Sequence, residues 1–139
     1  MRNTTTHTLA FAAILLFAAS LSYAADLDKR LVGVWQGQRS AESKCSFQAW
    51  EITRTYGGKF EIIRYTDSNK TKEVGRERGI WWVKASEYYA KTLGAPTPNG
   101  YNYVLLNQDK VRYTVLKGDP SADCKADYEF TEQRIIGAH

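Results

Sequence analysis

Beyond residue 30 the sequence is a series of short runs rich in β-branched and aromatic residues, each bounded by a turn signal. Such runs favour strands, and their spacing of roughly 8–12 residues is typical of an antiparallel meander. Residues 86–93 fit either a strand or a helical turn. The sequence therefore predicts an all-β fold of seven to eight strands, closed into a small up-and-down barrel or stacked as a β-sandwich. The strands with clear patterns are 31–39, 45–56, 59–67, 71–84, 101–106, 110–117 and 125–134.

The first testable hairpin surrounds Gly57 and Gly58. If these two glycines form a two-residue turn, the register brings apolar residues of both strands to one face, which we expect to line the core. The same register leaves Phe60 and Ile62 on the opposite face, which a second covering layer or an exposed apolar patch would explain. The residues predicted to face inward are Trp50, Ile52, Ile63 and Tyr65.

The second hairpin surrounds residues 107–109. A three-residue loop there places Tyr103 opposite Tyr113 and keeps the apolar residues of both strands on one face, whereas a two-residue loop does not. The last strand alternates in the same way and directs Tyr128 inward. The long strand before residue 85 leaves open which of Trp81 and Trp82 points into the core.

Residues 1–24 have the pattern of a secretory signal peptide: a basic start, an apolar run over residues 9–19 and small residues before the cleavage point. The run has 11 residues, whereas a membrane-spanning helix needs about 20. We therefore expect cleavage, no membrane span in the mature protein and a periplasmic or secreted location. Residues 25–139 are then a single domain.

Without the leader the chain has 18 Lys and Arg against 15 Asp and Glu, because Arg2 is removed from a total of 19. The basic residues are interspersed with acidic ones, whereas a nucleic-acid-binding protein concentrates them on one face. The pattern indicates no nucleic-acid partner. It gives no indication of the oligomeric state.

Two cysteines, Cys45 and Cys124, remain after the leader. An even pair in an exported protein predicts a disulfide bond. Two thiols are too few for a metal site, and the one histidine outside the leader is His139, the last residue. With no histidine base, no free thiol and no phosphate-binding glycine loop, the sequence favours a protein that is not an enzyme and has no metal or cofactor.

The aromatic residues have two interpretations. They fill the core of a small domain, or some of them line a cavity for an apolar or aromatic ligand. Under the second interpretation, Arg76, Arg78 and Arg112 are possible counter-charges for an acidic ligand group, or else solvated surface residues. The candidate ligand-lining residues are Trp50, Ile52, Ile63, Tyr65, Trp82, Tyr103, Tyr113 and Tyr128.

A second type of function would use the loop at residues 94–100, where two prolines restrict the backbone and tyrosines lie close by in sequence. Exposed tyrosines often anchor protein interfaces. The candidate partner-binding residues are Tyr88, Tyr89, Pro96, Pro98 and Tyr101.

Gly33-x-Trp35 on the first strand, followed by a meander of strands, resembles the lipocalin-like (calycin-type) small bacterial β-barrels. The resemblance implies that Trp35 closes the bottom of the barrel and that Arg134 packs over its ring. It also implies a disulfide that ties a strand to the C-terminal region, as Cys45 and Cys124 would do. The function it implies is binding of a small apolar or aromatic ligand in the lumen. The alternative is a periplasmic protein-binding module of the protease-inhibitor or immunity type, acting through loops at the rim.

Overall fold

The computed structural model describes residues 26–39, 46–117 and 129–137. In this part of the chain eight antiparallel strands follow one another around a closed barrel, and the last strand pairs with the first. The predicted all-β fold and up-and-down barrel are confirmed, and the stretch that was ambiguous in the sequence forms the fifth strand. The strands are β1 (Gly33–Gln38), β2 (Ala49–Arg54), β3 (Lys59–Tyr65), β4 (Glu73–Lys84), β5 (Glu87–Thr92), β6 (Asn99–Asn107), β7 (Lys110–Lys117) and β8 (Glu129–Arg134).

One end of the barrel, which we call the closed end, is filled with side chains. A 3₁₀ turn at Lys29–Leu31 precedes β1, and both Leu31 and Trp35 are fully buried. The indole Nε1 of Trp35 donates a hydrogen bond to the carbonyl oxygen of Leu31 at 3.0 Å. This bond satisfies the polar atom of the ring while its apolar area fills the core.

Arg134 holds the two ends of the described chain together at the closed end. Its guanidinium carbon lies 4.2 Å from the centre of the Trp35 ring, and its Nη1 donates to the carbonyl oxygen of Val32 at 2.8 Å. Gly33 lies directly beneath with φ +123°, and a Cβ at that position would be 2.8 Å from Arg134 Nη1. Glycine is therefore required at position 33 both by the backbone conformation and by the space that Arg134 occupies.

The predicted register of the first hairpin is wrong by one residue. In the structure Ile52 pairs with Ile62 and Trp50 with Arg64, because the turn includes Tyr56 as well as the two glycines and closes with a hydrogen bond from Thr55 N to the Lys59 carbonyl. A shift of one residue turns every side chain of β3 to the other face. Ile63 and Tyr65 therefore point outward and are only partly buried, whereas Phe60 and Ile62 are 6% and 8% exposed in the core.

The register of the second hairpin is confirmed, since Tyr103 pairs with Tyr113 and Leu105 with Val111. The tip has a different construction from the predicted three-residue loop. Asn107 pairs with Lys110, and an irregularity between Leu105 and Asn107 supplies the extra residue. A bulge at Leu106 thus gives the same strand register as a longer loop would.

The two adjacent tryptophans of β4 point to opposite sides. Trp81 is 1% exposed and lies in the core. Trp82 faces outward, where its ring stacks on Tyr89 with centroids 5.5 Å apart and an angle of 11° between the planes. The structure therefore decides the question that the sequence left open, and Trp82 does not point into the lumen.

Some predictions concern residues outside the described ranges. The signal peptide at residues 1–24, the Cys45–Cys124 disulfide and the inward orientation of Tyr128 remain predictions for this reason. Within the described ranges, no helix combines the length and apolar character needed to cross a membrane.

Candidate functional site

The other end of the barrel, which we call the mouth, opens into a cavity of about 610 Å³. Inward-facing residues of β2–β6 and β8 line it, together with residues that precede β2 and the connection from β5 to β6. The lumen is therefore solid at the closed end and hollow toward the mouth. Ligand cavities in proteins typically have volumes of roughly 300–1,000 Å³, so the size suits one small molecule.

The middle of the cavity is an apolar belt that combines aromatic and aliphatic side chains. On β2 it lies between the buried Arg54 and the polar mouth, and on β3 it is followed by Arg64 at the mouth, as the alternation along each strand requires. An apolar belt of this kind favours ligands with an apolar body, because transfer of that surface out of water is favourable. We define the belt by Trp50, Ile52, Phe60, Ile62 and Phe130.

Trp50 forms a fixed, flat wall of the belt. Its Nε1 donates a hydrogen bond to Glu132 Oε1 at 3.0 Å, and its ring makes a T-shaped contact with Phe130, with centroids 5.1 Å apart. Gly37 is the residue of the neighbouring strand β1 that pairs with Trp50. A Cβ at Gly37 would come within 2.6 Å of the indole. The absence of a side chain at Gly37 lets the indole lie flat against β1.

The floor of the cavity carries a buried ion pair. Arg54 Nη1 lies 2.9 Å from Glu132 Oε2, and the two side chains are 1% and 3% exposed. Arg54 Nε also donates a hydrogen bond to Tyr88 Oη at 3.1 Å. Burial by itself would lower the pKa of Arg54, but the neighbouring Glu132 carboxylate, together with Tyr113 and Tyr88, outweighs it and holds that pKa well above its ordinary value. The floor is therefore a pair of opposite charges that neutralise each other.

Two buried tyrosines with neutral hydroxyls lie beside this ion pair: Tyr88, which belongs to the floor, and Tyr113, which lies in the core. Burial raises the pKa of Tyr88, and it raises the pKa of Tyr113 well above the ordinary value. The guanidinium carbon of Arg54 lies 4.8 Å from the Tyr88 ring centre and 5.6 Å from that of Tyr113. Cation–π attraction thus adds to the ion pair in holding Arg54 inside the barrel.

The mouth has polar and charged residues. Arg64 donates hydrogen bonds to Gln48 Oε1 at 3.0 Å and to Glu77 Oε2 at 3.5 Å. Arg39 is 6% exposed, and its Nη1 donates to the carbonyl oxygen of Ser46 at 3.0 Å. These groups are positioned to bind the polar end of a ligand whose apolar body lies in the belt.

The structure separates the predicted ligand-lining residues into three groups. Trp50 and Ile52 line the cavity. Tyr103 and Tyr113 are buried in the core and do not line it. Three further assignments are wrong because the side chains point outward, and these are Ile63, Tyr65 and Trp82.

The proposed counter-charges are also displaced from the lumen. Arg76, Arg78 and Arg112 are exposed, and the first two form ion pairs with Glu61 on the outer face of the sheet. They correspond to the solvated surface that the sequence analysis gave as the other interpretation. The arginines that line the cavity are others.

The predicted partner-binding residues do not form one exposed surface. Tyr88 is 3% exposed and belongs to the floor, so its assignment to an exposed loop is wrong. Tyr101 is half-buried and lines the cavity, whereas Tyr89 lies outside against Trp82. Pro96 and Pro98 lie between β5 and β6, and their neighbours Ala95 and Thr97 form part of the mouth.

Sequence reasoning missed the charged residues of the lumen, although the alternation contained a signal for them. Arg54 follows Trp50 and Ile52 at a spacing of two, and Glu132 follows Phe130 in the same way. Both therefore fall on the inward face of their strands. A positive and a negative residue at such positions indicate a buried pair, since an unpaired charge there would be very costly.

Within residues 26–39, 46–117 and 129–137, no cluster of three or more His, Cys, Asp or Glu residues is arranged to hold a metal ion. No protein-family model matches the chain, and no curated protein or solved structure matches it either. The functional argument therefore depends on the cavity and its residues.

Proposed function

We propose that this protein binds a small apolar or aromatic molecule in the lumen of its barrel. The observation that carries the proposal is the cavity of about 610 Å³, which combines an apolar belt with a polar mouth. Sites for small molecules are usually concave and mostly apolar, with a few polar groups that orient the ligand. This cavity is concave and has an apolar belt at its centre, although polar and charged groups form as much of its lining as apolar ones do.

The rigidity of the belt supports the proposal. Trp50 is fixed by a hydrogen bond to Glu132 and by an edge contact with Phe130, and the ion pair beneath holds Glu132 in place. A wall that is already ordered loses little conformational freedom when a ligand binds. Apolar burial, worth about 25 cal/mol for each Å² removed from water, can then appear as affinity.

Tryptophan fluorescence gives a direct test. The protein has four tryptophans, and Trp50 is the one that lines the cavity. We expect naphthalene-based alcohols and acids to change the emission saturably in the unaltered protein. Trp50→Phe should abolish most of the change, and Trp82→Phe, on the outer face, should preserve it. If no compound changes the emission of either the unaltered protein or the Trp82→Phe control, ligand binding in the lumen is rejected.

The proposal includes export of the mature chain, which residues 1–24 and the two cysteines support. N-terminal sequencing of the protein from its own host should begin at residue 25. Mass mapping without reductant should join Cys45 to Cys124. An intact leader would contradict the expected cleavage, and free thiols in the exported protein would contradict the expected disulfide. Neither result would bear on ligand binding.

A protein-binding module that acts through rim loops remains the second candidate. The observation that favours it is Leu93, which is 78% exposed at the start of the connection that forms part of the mouth. Capture of a periplasmic or secreted protein should then weaken in Leu93→Ser but not in Ile136→Ser, which alters an equally exposed residue after β8. Equal capture by both variants would exclude this loop as the binding surface.

A further inference from the structure

We infer that the edge of β4 beside the mouth is a docking site for an extended segment of another protein, with an acidic residue at its centre, which joins the barrel as an additional short strand. This inference goes beyond ligand binding in the lumen and does not depend on it. Three observations support it: the length of β4 beyond its neighbour β5, a groove in line with β5, and the direction of the peptide groups of Arg76.

β4 is longer than its pairing with the strand on one side. It comprises Glu73–Lys84, and β3 pairs with it down to its first residue. β5 pairs with it over residues 79–84, and one further hydrogen bond, from Leu93 N to the Arg78 carbonyl oxygen, ends the contact. Within the described ranges, residues 73–78 have no partner strand on the β5 side. This part of β4 is therefore a strand edge in an otherwise closed barrel.

A surface groove lies where β5 would continue if it were longer. Its volume is about 400 Å³, and its lining residues are Arg76, Glu77, Arg78, Thr92 and Leu93. The chain leaves this path because a hydrogen bond from Ala95 N to the Thr92 carbonyl oxygen closes a turn. A direct continuation of β5 would run opposite residues 73–77. An extended segment in the groove would therefore occupy the position of an added strand.

The peptide groups of Arg76 point toward this groove. Along a strand, the N–H and C=O groups of successive residues alternate between its two neighbours. Trp81 N donates to the carbonyl oxygen of Gly58 on the β3 side. The Arg78 carbonyl oxygen accepts from Leu93 N on the β5 side. Arg76 is two residues from Arg78, so its N–H and C=O also face the β5 side, where an added strand supplies an acceptor and a donor.

The charge of Arg76 favours a different protein over a second copy of this chain. Its side chain is 47% exposed on the outer face. Two-fold pairing of two copies through the Arg76 peptide groups would place two Arg76 side chains directly opposite each other, and like charges at such positions destabilise a sheet.

A glutamate opposite Arg76 would instead form a cross-strand pair of opposite charges. It would add to the ion pairs that Arg76 already makes with Glu73 at 3.0 Å and with Glu61 at 3.4 Å. Arg78, which is 68% exposed on the same face, would lie diagonally across from this glutamate. A lysine in its place would face two arginines.

Amide hydrogen exchange in the whole protein tests whether the edge is open. The Arg76 amide should exchange rapidly, whereas the Glu77 amide, which faces β3, should be protected. Protection of Arg76 at every protein concentration would show that another segment of this chain covers the edge. Protection that appears only at high concentration would show that a second copy covers it. Either result would overturn the inference.

The binding test uses three dye-labelled heptapeptides and fluorescence polarisation at neutral pH and low salt. The first has the sequence Thr-Val-Thr-Glu-Thr-Val-Thr, the second has lysine in place of glutamate, and the third has a methyl group on the amide nitrogen of the glutamate. The first should bind at least about threefold more tightly than the second, as expected for exchange of an opposite charge for a like one. It should bind about tenfold more tightly than the third, which lacks one backbone donor.

Two substitutions at one position separate the backbone from the side chain. Arg76→Pro removes an N–H that faces away from β3, a position where proline is tolerated in a sheet, and should weaken the glutamate peptide at least about tenfold. Arg76→Gln keeps the N–H, so it should retain binding and lose most of the preference for glutamate over lysine. Arg112→Gln, which alters an exposed arginine of β7, is the control and should change neither.

The outcomes decide the inference without reference to the lumen. If the glutamate peptide does not bind, or if it binds equally well to Arg76→Pro, docking at the β4 edge is rejected. Equal binding of the glutamate and lysine peptides to the unaltered protein rejects the acidic partner. If Arg76→Pro does not fold, the methylated peptide still decides, because its full affinity for the unaltered protein would exclude strand addition through this edge. Binding of naphthalene compounds in the lumen is measured separately and is affected by none of these results.

Discussion

Arg54 and Glu132 form an ion pair across the first strand of the barrel, with Arg54 Nη1 2.9 Å from Glu132 Oε2. Their strands, β2 and β8, do not pair with each other, because β1 lies between them and pairs with both. The side chains meet inside the lumen, where Glu132 also holds Trp50. The ion pair therefore links β8, the strand that closes the barrel against β1, to Trp50 in the wall of the cavity.

Removal of one partner of this pair should be strongly destabilising. Glu132→Gln leaves the charge of Arg54 buried without its counter-ion, and we expect a loss of about 3–5 kcal/mol in the free energy of unfolding. Urea denaturation measures it. Glu129→Gln, an exposed position on the same strand, is the control and should change stability by less than about 0.5 kcal/mol.

The double variant Arg54→Met with Glu132→Leu distinguishes an ion pair from a simple packing effect. Because both charges are removed together, we expect it to recover most of the stability that Glu132→Gln loses. A double variant as unstable as the single one would mean that the shape of these side chains matters more than their charges.

The contact between Gly33 and Arg134 predicts a second large effect. Gly33→Ala places a Cβ 2.8 Å from Arg134 Nη1 at φ +123°, and the strained backbone alone should cost about 1–3 kcal/mol. Gly75→Ala is the matched control, because a Cβ there meets nothing within 4 Å. Thermal unfolding of the two variants should differ clearly, and equal melting temperatures would contradict the role assigned to Gly33.

The two central hairpins show how far the sequence predicts this fold. Strand identity, the meander and the pairing of Tyr103 with Tyr113 followed from local patterns, since alternation and turn residues act over a few positions. The register of β2 with β3 did not, because it depends on whether Tyr56 belongs to the turn or to the strand. The predicted register left the apolar residues Phe60 and Ile62 on the outer face, and this was the available warning.

The cavity was less predictable than the fold. The sequence identified Trp50 and Ile52, which line it. Arg76, Arg78 and Arg112, which it gave as either possible counter-charges or solvated surface residues, lie on the outer face. Whether a charged residue points inward depends on a partner that is distant in the chain. Arg54 and Glu132 are such a case, since 78 positions separate 132 from 54.

Tyr103 predicts a loss of stability at alkaline pH. Burial, and then its hydrogen bond to Asp28 at 2.9 Å, raise the pKa of Tyr103 to about 12, whereas an unfolded tyrosine titrates near 10. Between about pH 10 and 12 the unfolded chain releases a proton that the folded chain keeps, so the free energy of unfolding falls as pH rises through this window.

Tyr103→Phe should remove this share of the pH dependence, and the slope of stability between pH 10 and 12 should become flatter. Tyr56→Phe, at a position 70% exposed, should leave the slope unchanged. Tyr88, Tyr89 and Tyr113, whose pKa values are also raised, contribute to the slope that remains in the Tyr103→Phe variant. Identical slopes in both variants would exclude Tyr103 as a contributor.

Filling the lumen should remove ligand binding without unfolding the protein. Ala90 lines the cavity on β5, between Trp81 on one side and Asn99 on the other. Ala90→Phe would place a ring in the open space beside the apolar belt, where a ligand body would otherwise lie. We expect the affinity for the naphthalene probes to fall at least about tenfold with little change in melting temperature. Lys91→Gln, the adjacent residue on the outer face, should leave the affinity unchanged. Full affinity in Ala90→Phe would place the binding site outside the lumen.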